Sequence, residues 1–475
     1  MVVKIRFSLI ILLAAVLFTS CKKKPQQFTF ISSTPHARWE ESSFPVMPDQ
    51  HEGIPVVNVD VTGLQQDIDG FGACFNELGW DALQLLPDTS REAILKDFFT
   101  PEGCDFTICR MPIGANDYSR DWYSLDETDG DFNMNDFSIE RDREALIPYI
   151  KAAMQYTGDL KIWASPWSPP VWMKTNHHYA CRPADVNDLG PEGAGREGVT
   201  EFIMEKPYLE AYALYFEKFV NAYRNEGVNL YAVHVQNEPN SCQSFPSCVW
   251  APSDQATFIG DYLGPKFKAD NVDAQIWYGT YERPSVANVD TILQDPEAGP
   301  FVTGVGFQWA GKEAIAGVHE KYPDMKLMQT ESECGNGSND WKAAEYTWSL
   351  MKHYLENGAS SYLYWNMALD ETGKSRWGWK QNSLVTVDSK TRKFKYNPEY
   401  YLFKALTHTV KPGAIKLKTP AEYDDMMVFL NPGNELAGII VNTTFKNEVQ
   451  QVKIGDRYLV IRLQPKSFNA FTVRL

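Results

Sequence analysis

Hydrophobic positions along this chain follow two rhythms. From about residue 69 to 408, short and nearly continuous apolar runs alternate with stretches whose apolar residues recur every three or four positions. Eight runs read as strands: "DGFGACF" (69–75), "FTICRMPI" (106–113), "KIWASPW" (161–167), "NLYAVHVQNEP" (229–239), "AQIWYGT" (274–280), "VTGVGFQWA" (302–310), "KLMQTESE" (326–333) and "SSYLYWNMALD" (360–370). Between the third and fourth, Leu209, Tyr212, Ala213, Phe216, Phe219, Val220 and Tyr223 line one face of a helix. Gly158, Gly227 and Gly358 stand where the helices before strands three, four and eight should close. Strands apolar on both faces, alternating with such helices, imply a parallel sheet covered on its outside. Eight repeats predict an α/β chain built on a (β/α)8 TIM barrel over 69–408, with its reactive face at the C-terminal strand ends.

The flanks have the second rhythm. Residues 409–475 alternate short runs such as "MMVFL", "LAGIIVN" and "YLVIRL" with Asn, Gly and Pro turns, and "IPVVNVDVTG" within 54–68 is similar. Both ends are expected to meet in one attached β-sandwich. Residues 22–53 read as a polar tether and lead-in. Ahead of them, Lys4 and Arg6 precede "FSLIILLAAVLF" and then "TSC". That run is too short to span a membrane and reads as an export signal, 1–21, with Cys21 as the lipidation site of a bacterial lipoprotein. The expectation is an exported protein anchored at a cell surface or in the periplasm.

Composition narrows the function classes. The formal net charge of −16 argues against a nucleic-acid partner, whose phosphates call for Lys and Arg, and suits a neutral ligand. Aromatic residues make up 13% of the chain, including 14 Trp, which suits stacking on flat apolar faces such as those of sugars. Seven cysteines follow Cys21, an odd number, and Cys242 and Cys248 are close enough for a short-loop disulfide. No CxxC or HExxH spacing, P-loop or GxSxG occurs, so neither a metal nor another cofactor is expected. "DETDGDFNMND" (126–136) lacks the terminal glutamate of a calcium loop, and His177-His178 has no third ligand nearby.

The chemistry gathers at two strand ends. Strand four runs into Asn237-Glu238 and strand seven into Thr330-Glu331, roughly across the barrel mouth from one another. Two carboxyl groups flanking one bond are what glycoside hydrolysis requires, one holding a proton for the leaving oxygen and the other ionised. Strict alternation would send Asn237 and Glu238 to opposite faces, so the backbone must leave strand geometry there, with Pro239 holding Glu238 extended.

On these residues, and on "DGFGACFNE", "CRMPIGANDYS", "WASPWSPPVWMK", "VQNEPN", "QTESECG", "YLYWNMALDETG", "WGWKQNSLVTVD" and "YNPEYYLFKALTHTVKPGA", the chain resembles glycoside hydrolase family 30. That family holds glucosylceramidases and microbial endo-β-1,6-glucanases. The resemblance implies a barrel with an attached β-sandwich and net retention of anomeric configuration. It makes Glu238 the general acid/base and Glu331 the nucleophile, with Glu333 a weaker candidate for the second role. It gives Asn237 a bond to the sugar 2-OH and Arg110 a place beside the nucleophile. Asp117 and Trp167 become contacts to the hydroxyls of the first sugar, Trp365 the platform under its ring, and Asn382 a contact from a loop. Trp309 either lines the site or packs in the core. Where glucosylceramidases carry a tyrosine against the nucleophile, this chain has Ala310, which fits the polysaccharide branch better.

The expectation is therefore a monomeric retaining β-glycosidase acting on a poly- or oligosaccharide, an endo-β-1,6-glucanase first. An exo-acting glucosidase, glucosylceramidase, fucosidase, xylosidase or galactanase is the rival within the family. A non-catalytic surface glycan-binding protein is the rival outside it.

Overall fold

The computed structural model describes residues 26–475; Cys21 and the expected export signal lie outside that range. Eight parallel strands close into a barrel in chain order: Gly70–Cys74, Ile108–Ile113, Lys161–Pro166, Leu230–His234, Gln275–Tyr281, Val302–Gln308, Lys326–Glu331 and Ala359–Asn366. All eight expected strands are present, and they are numbered one to eight below. The helix Lys206–Asn225 buries the expected face, Leu209 through Tyr223. Gly227 and Gly358 take φ of 83° and 92°, the left-handed conformation that ends a helix without a Cβ clash. Gly158 does not: the helix Leu146–Met154 stops before it, and Gly158 belongs to the connection.

The barrel interior is layered. Ile108, Trp163, Ala232, Trp277, Met328 and Leu363, one each from strands two, three, four, five, seven and eight, form a closed apolar cluster. Side chains two positions further along a strand share its face, which brings Arg110, Ser165, His234, Thr330 and Trp365 to the next layer up. His234 stacks on Trp163 with ring centroids 4.0 Å apart. Burial pushes its pKa down, so it is a neutral part of this packing. The polar layer thus rests on a floor of aromatic rings and aliphatic side chains.

Two strands are shorter than their apolar runs. Strand four stops at His234, before Gln236, and strand eight at Asn366; Ala368–Asp370 pairs instead with Val385–Asp388 in a separate three-stranded sheet. The flanks form a seven-stranded and a three-stranded sheet packed over a core that includes Val57, Val428, Ile440, Val452 and Phe471. One expectation is corrected here. Residues 27–45, read as part of a tether, form the strands Gln27–Ser33 and Glu40–Pro45 of the seven-stranded sheet. Phe28 and Phe30 alternate into the same core, a period-two signal that the polar neighbours masked. Among the described residues every cysteine is free, Cys242 and Cys248 included, so the short-loop disulfide does not form.

Candidate active site

After strand four the chain turns sharply. Asn237 donates its N–H to Pro166 O at 2.8 Å, and Glu238 donates its N–H to Thr280 O at 3.2 Å. Neighbouring strands three and five thereby hold the backbone while it leaves the ladder, as the alternation argument requires. The expectation that Pro239 keeps Glu238 extended is corrected: Glu238 has φ of 46°, in the left-handed region. A non-glycine residue there costs on the order of 1–3 kcal/mol. Here the bonds from strands three and five offset that cost and turn the carboxyl toward the barrel mouth.

Strand seven delivers Glu331 at its last position, and a register shift after Phe307 sets Gln308 of strand six directly opposite it. Gln308 is the residue that joins the two acids. Its Nε2 donates to Glu238 Oε1 at 3.1 Å and to Glu331 Oε2 at 3.3 Å. Those two oxygens therefore lie no farther apart than the sum of the two bonds, 6.4 Å. The amide cannot be reversed, because its Oε1 accepts from Thr330 Oγ1 at 2.9 Å and from Arg110 Nη1 at 3.4 Å.

Arg110 organises the floor of the site. It has no exposed surface, and its guanidinium sits 4.3 Å from the ring centroid of Trp167 and 5.1 Å from that of Trp365. Nη1 pairs with Glu331 Oε2 at 2.9 Å, and Nη2 donates to Asn237 Oδ1 at 2.6 Å and Ser165 Oγ at 2.9 Å. Thr280 Oγ1 also donates to Asn237 Oδ1, at 2.8 Å. With its oxygen tied down, Asn237 presents its Nδ2 to the pocket.

Burial pushes both Glu238 and Glu331 above the ordinary carboxyl range. The strongest opposing influence differs between them. For Glu331 it is the charge of Arg110, whereas for Glu238 it is the neutral amides of Gln308 and Gln243. Arg110 at 2.9 Å favours the ionised form of Glu331, whereas the side-chain donors that contact Glu238 are neutral amides.

Around the pair lies a pocket of about 640 Å³ whose wall includes Asp117, Trp167, Asn237, Glu238, Trp309 and Glu331. Burial and the neighbouring Glu238 raise the Asp117 pKa to about 7. Asp117 Oδ2 accepts from Trp365 Nε1 at 3.2 Å, while its buried Oδ1 has no partner and is free for a ligand hydroxyl. Trp309, 38% exposed, belongs to the wall rather than the core. Three expectations change. Trp365 has no exposed surface and supports Asp117 instead of forming a platform in the wall. Asn382 is committed elsewhere, donating to Glu399 at 2.8 Å and accepting from Asn339 N at 3.1 Å; its neighbours Lys380 and Gln381 line the pocket instead. Glu333 is bound by Lys312 at 2.8 Å and Tyr346 at 2.6 Å and is absent from the wall, which leaves Glu331 as the paired acid.

Sequence reasoning missed Gln308, Gln243 and Glu282. Gln308 ends a barrel strand, the same signal that singled out Asn237 and Glu331. Gln243, which donates to Glu238 Oε2 at 3.1 Å, lies in a loop with no periodic pattern to mark it.

Known proteins share this architecture. Residues 68–410, well over half of the chain, match the glycosyl hydrolase family 30 TIM-barrel domain. Putative glucosylceramidase 1 of Caenorhabditis elegans is 27% identical, covering 81% of this chain and 76% of that protein. Endo-1,6-beta-D-glucanase of Neurospora crassa is 24% identical, covering 90% of both chains. Among solved structures, SrfJ from Salmonella typhimurium superposes with a TM-score of 0.85 at 23% identity, over 94% of this chain and 100% of that one. The endo-beta1,6-glucanase BT3312 gives 0.80 at 22% identity, over 95% and 100%. At those identities the two structures establish the shared fold. The family match, on a closed barrel whose mouth holds two adjoining glutamates, means that this chain belongs to glycosyl hydrolase family 30 and is a glycoside hydrolase.

Proposed function

We propose that the enzyme is a retaining β-glycosidase that cleaves β-glucan by double displacement, with endo-β-1,6-glucanase activity. The single observation that carries the mechanism is the amide of Gln308 shared by Glu238 and Glu331, which caps their facing oxygens at 6.4 Å. Retaining glycosidases hold their carboxyl groups about 5–5.5 Å apart, and inverting ones about 6.5–9.5 Å to admit a water. In this reading Glu331, ionised against Arg110, attacks the anomeric carbon while Glu238 gives its proton to the leaving oxygen. Water then enters, Glu238 takes a proton from it, and the glycosyl–Glu331 ester is hydrolysed. Asn237 Nδ2 binds the sugar 2-OH, a contact that tightens as charge develops on the ring. Asp117 Oδ1 takes a hydroxyl at the far side of the same sugar, with Trp167 beside it.

Two observations favour the β-1,6 linkage. The Neurospora β-1,6-glucanase aligns over nine-tenths of both chains, against about three-quarters of the nematode glucosylceramidase. The absence of a tyrosine at Ala310 points the same way. The slightly higher identity of the glucosylceramidases keeps an exo-acting reading as the rival. We further propose that the chain is exported and lipidated at Cys21; labelling with a fatty acid, lost in Cys21→Ser, tests that point.

The enzyme is tested on pustulan, a β-1,6-glucan, with laminarin, xylan, galactan and aryl β-glycosides alongside. A ladder of gluco-oligosaccharides from pustulan alone, with the β-anomer appearing first by NMR, is expected. Monosaccharide as the sole product refutes endo action, and an α-anomer first refutes retention. Glucan bound without release of reducing ends, in an enzyme indifferent to Glu331→Gln, leaves only a glycan-binding protein.

A further inference from the structure

Four carboxyl groups, not two, stand in the pocket wall: Asp117, Glu238, Glu282 and Glu331. Two arginines face them, each in contact with one. Arg110 pairs with Glu331 at 2.9 Å, and Arg283 with Glu282 at 3.4 Å. Glu282, immediately after strand five, is 2% exposed and is gripped by donors alone. Its Oε1 accepts from Asn240 N and Ser241 Oγ, each at 2.9 Å, and its Oε2 from Asn240 Nδ2 at 3.4 Å. Those donors belong to the turn that starts at Glu238, and Ser241 N closes that turn on Glu238 O at 3.0 Å. Arg283 adds a bond to Asn240 O at 3.2 Å while its other edge is held by Glu197.

We propose that Glu282 is a positioning residue for the acid: paired with Arg283, its carboxylate clamps the 239–241 turn and its charge keeps the proton on Glu238. This rests on the reading of Glu238 as the general acid. Glu282 accepts from a backbone N–H and lies beside Arg283, both of which favour its ionised form, whereas Glu238 faces the pocket where a leaving oxygen or water can take a proton. Glu238 itself meets Gln243 from its own loop, Thr280 and Glu282 from strand five and its end, and Gln308 from strand six. The charges of Arg110, Arg283, Asp117 and Glu331 reach it as well. Arg110 and Arg283 pull the other way, lowering the Glu238 pKa, and each is engaged by a closer carboxylate, Glu331 and Glu197. Burial and Glu238 together raise the Glu282 pKa to about 8, so the two acids titrate as one pair that holds a single proton near neutrality, and the donors gathered around Glu282 place that proton on Glu238. The turn's left-handed residue and the proton it must carry are thus governed by one side chain.

The test compares pH profiles of kcat/KM for wild type, Glu282→Gln and Glu282→Asp, using an aryl β-glucoside with a poor leaving group and a dinitrophenyl β-glucoside that departs without a proton. Glutamine keeps one acceptor oxygen for Asn240 N and Ser241 Oγ and loses the charge, while its NH2 takes the place of the oxygen that meets the Asn240 side-chain amide, which can turn its own oxygen to it. The alkaline limb on the poor leaving group is expected to move down by about one pH unit, roughly a tenfold loss above it, since removing a like charge favours ionised Glu238. The dinitrophenyl profile should keep its limb, and aspartate should return the first profile toward wild type. A Glu282→Gln limb that stays in place or moves up overturns the proposal, as does failure of aspartate to restore it. Melting curves verify that each variant is folded; if Glu282→Gln is not, the aspartate variant's limb decides, and a shift larger than that expected for glutamine refutes a charge effect. Glu238→Gln run in parallel separates the premises: if it slows both substrates equally, the assignment of Glu238 as acid fails, whatever Glu282 does.

Discussion

Arg110 donates to the side-chain oxygen of Asn237 at 2.6 Å with the same guanidinium that holds Glu331 at 2.9 Å. One planar fork therefore favours the charge on Glu331, the proposed nucleophile, and orients the Asn237 amide proposed to meet the substrate. Lysine carries the charge but not the fork. Arg110→Lys is expected to lower kcat by roughly 10²–10³-fold, the scale seen when a preorganised donor is lost. Steady-state kinetics on an aryl glucoside check it. A fall of less than fivefold would mean that charge alone suffices.

Gln308 gives both acids a shared donor. Gln308→Leu keeps the volume and removes it, so the carboxyl groups lose their common tether and repel more freely. We expect kcat to fall by about 10–100-fold, with KM changed far less, because the contact acts on the reacting groups and not on the substrate. Gln308→Glu should be worse, since it adds a further negative charge between Glu238 and Glu331.

The barrel was legible in the sequence because its strands are buried on both faces and its helices on one, which produces two distinct periods. Glu238, Glu331 and Asn237 were legible for a related reason: two carboxyl groups and an amide stand where apolar runs stop, at the same end of the one barrel. Period does not report how a chain behaves after the strand ends. The left-handed turn at Glu238 depends on bonds to Pro166 and Thr280, which only the closed barrel brings near. Gln308 reaches Glu331 through a register shift that no local pattern encodes. Trp365 and Asn382 carry the family motif, yet their partners, Asp117 and Glu399, turn them into supports.

Asn382 shows that distinction in a measurable way. Its amide is 1% exposed and bonded at both ends, and the Glu399 it serves has no exposed surface. Asn382→Ala should destabilise the protein by about 1–3 kcal/mol, the cost of leaving buried partners unsatisfied. Urea unfolding measures it. A variant of wild-type stability whose KM rises tenfold would return Asn382 to the substrate.

Stability should decline as pH rises from about 4 to 8. Burial raises Asp142 and Glu399 to about 7, Asp117 to about 7 and Asp126 to about 6. Each carboxyl has a folded-state pKa above its unfolded value, so in this window the folded chain binds more protons than the unfolded one. Under linkage, such a difference makes the unfolding free energy fall with rising pH until the folded-state pKa is passed. Below about pH 4 both states are protonated and these groups contribute their full favourable share. The net charge of −16 at neutral pH adds self-repulsion of the same sign. The melting temperature is expected to be higher at pH 5 than at pH 8. Asp142→Asn, which keeps an acceptor beside the hydroxyls of Tyr123 and Tyr223, should flatten part of that slope. A melting temperature that rises from pH 5 to pH 8 would mean that these side chains reach water in the folded state.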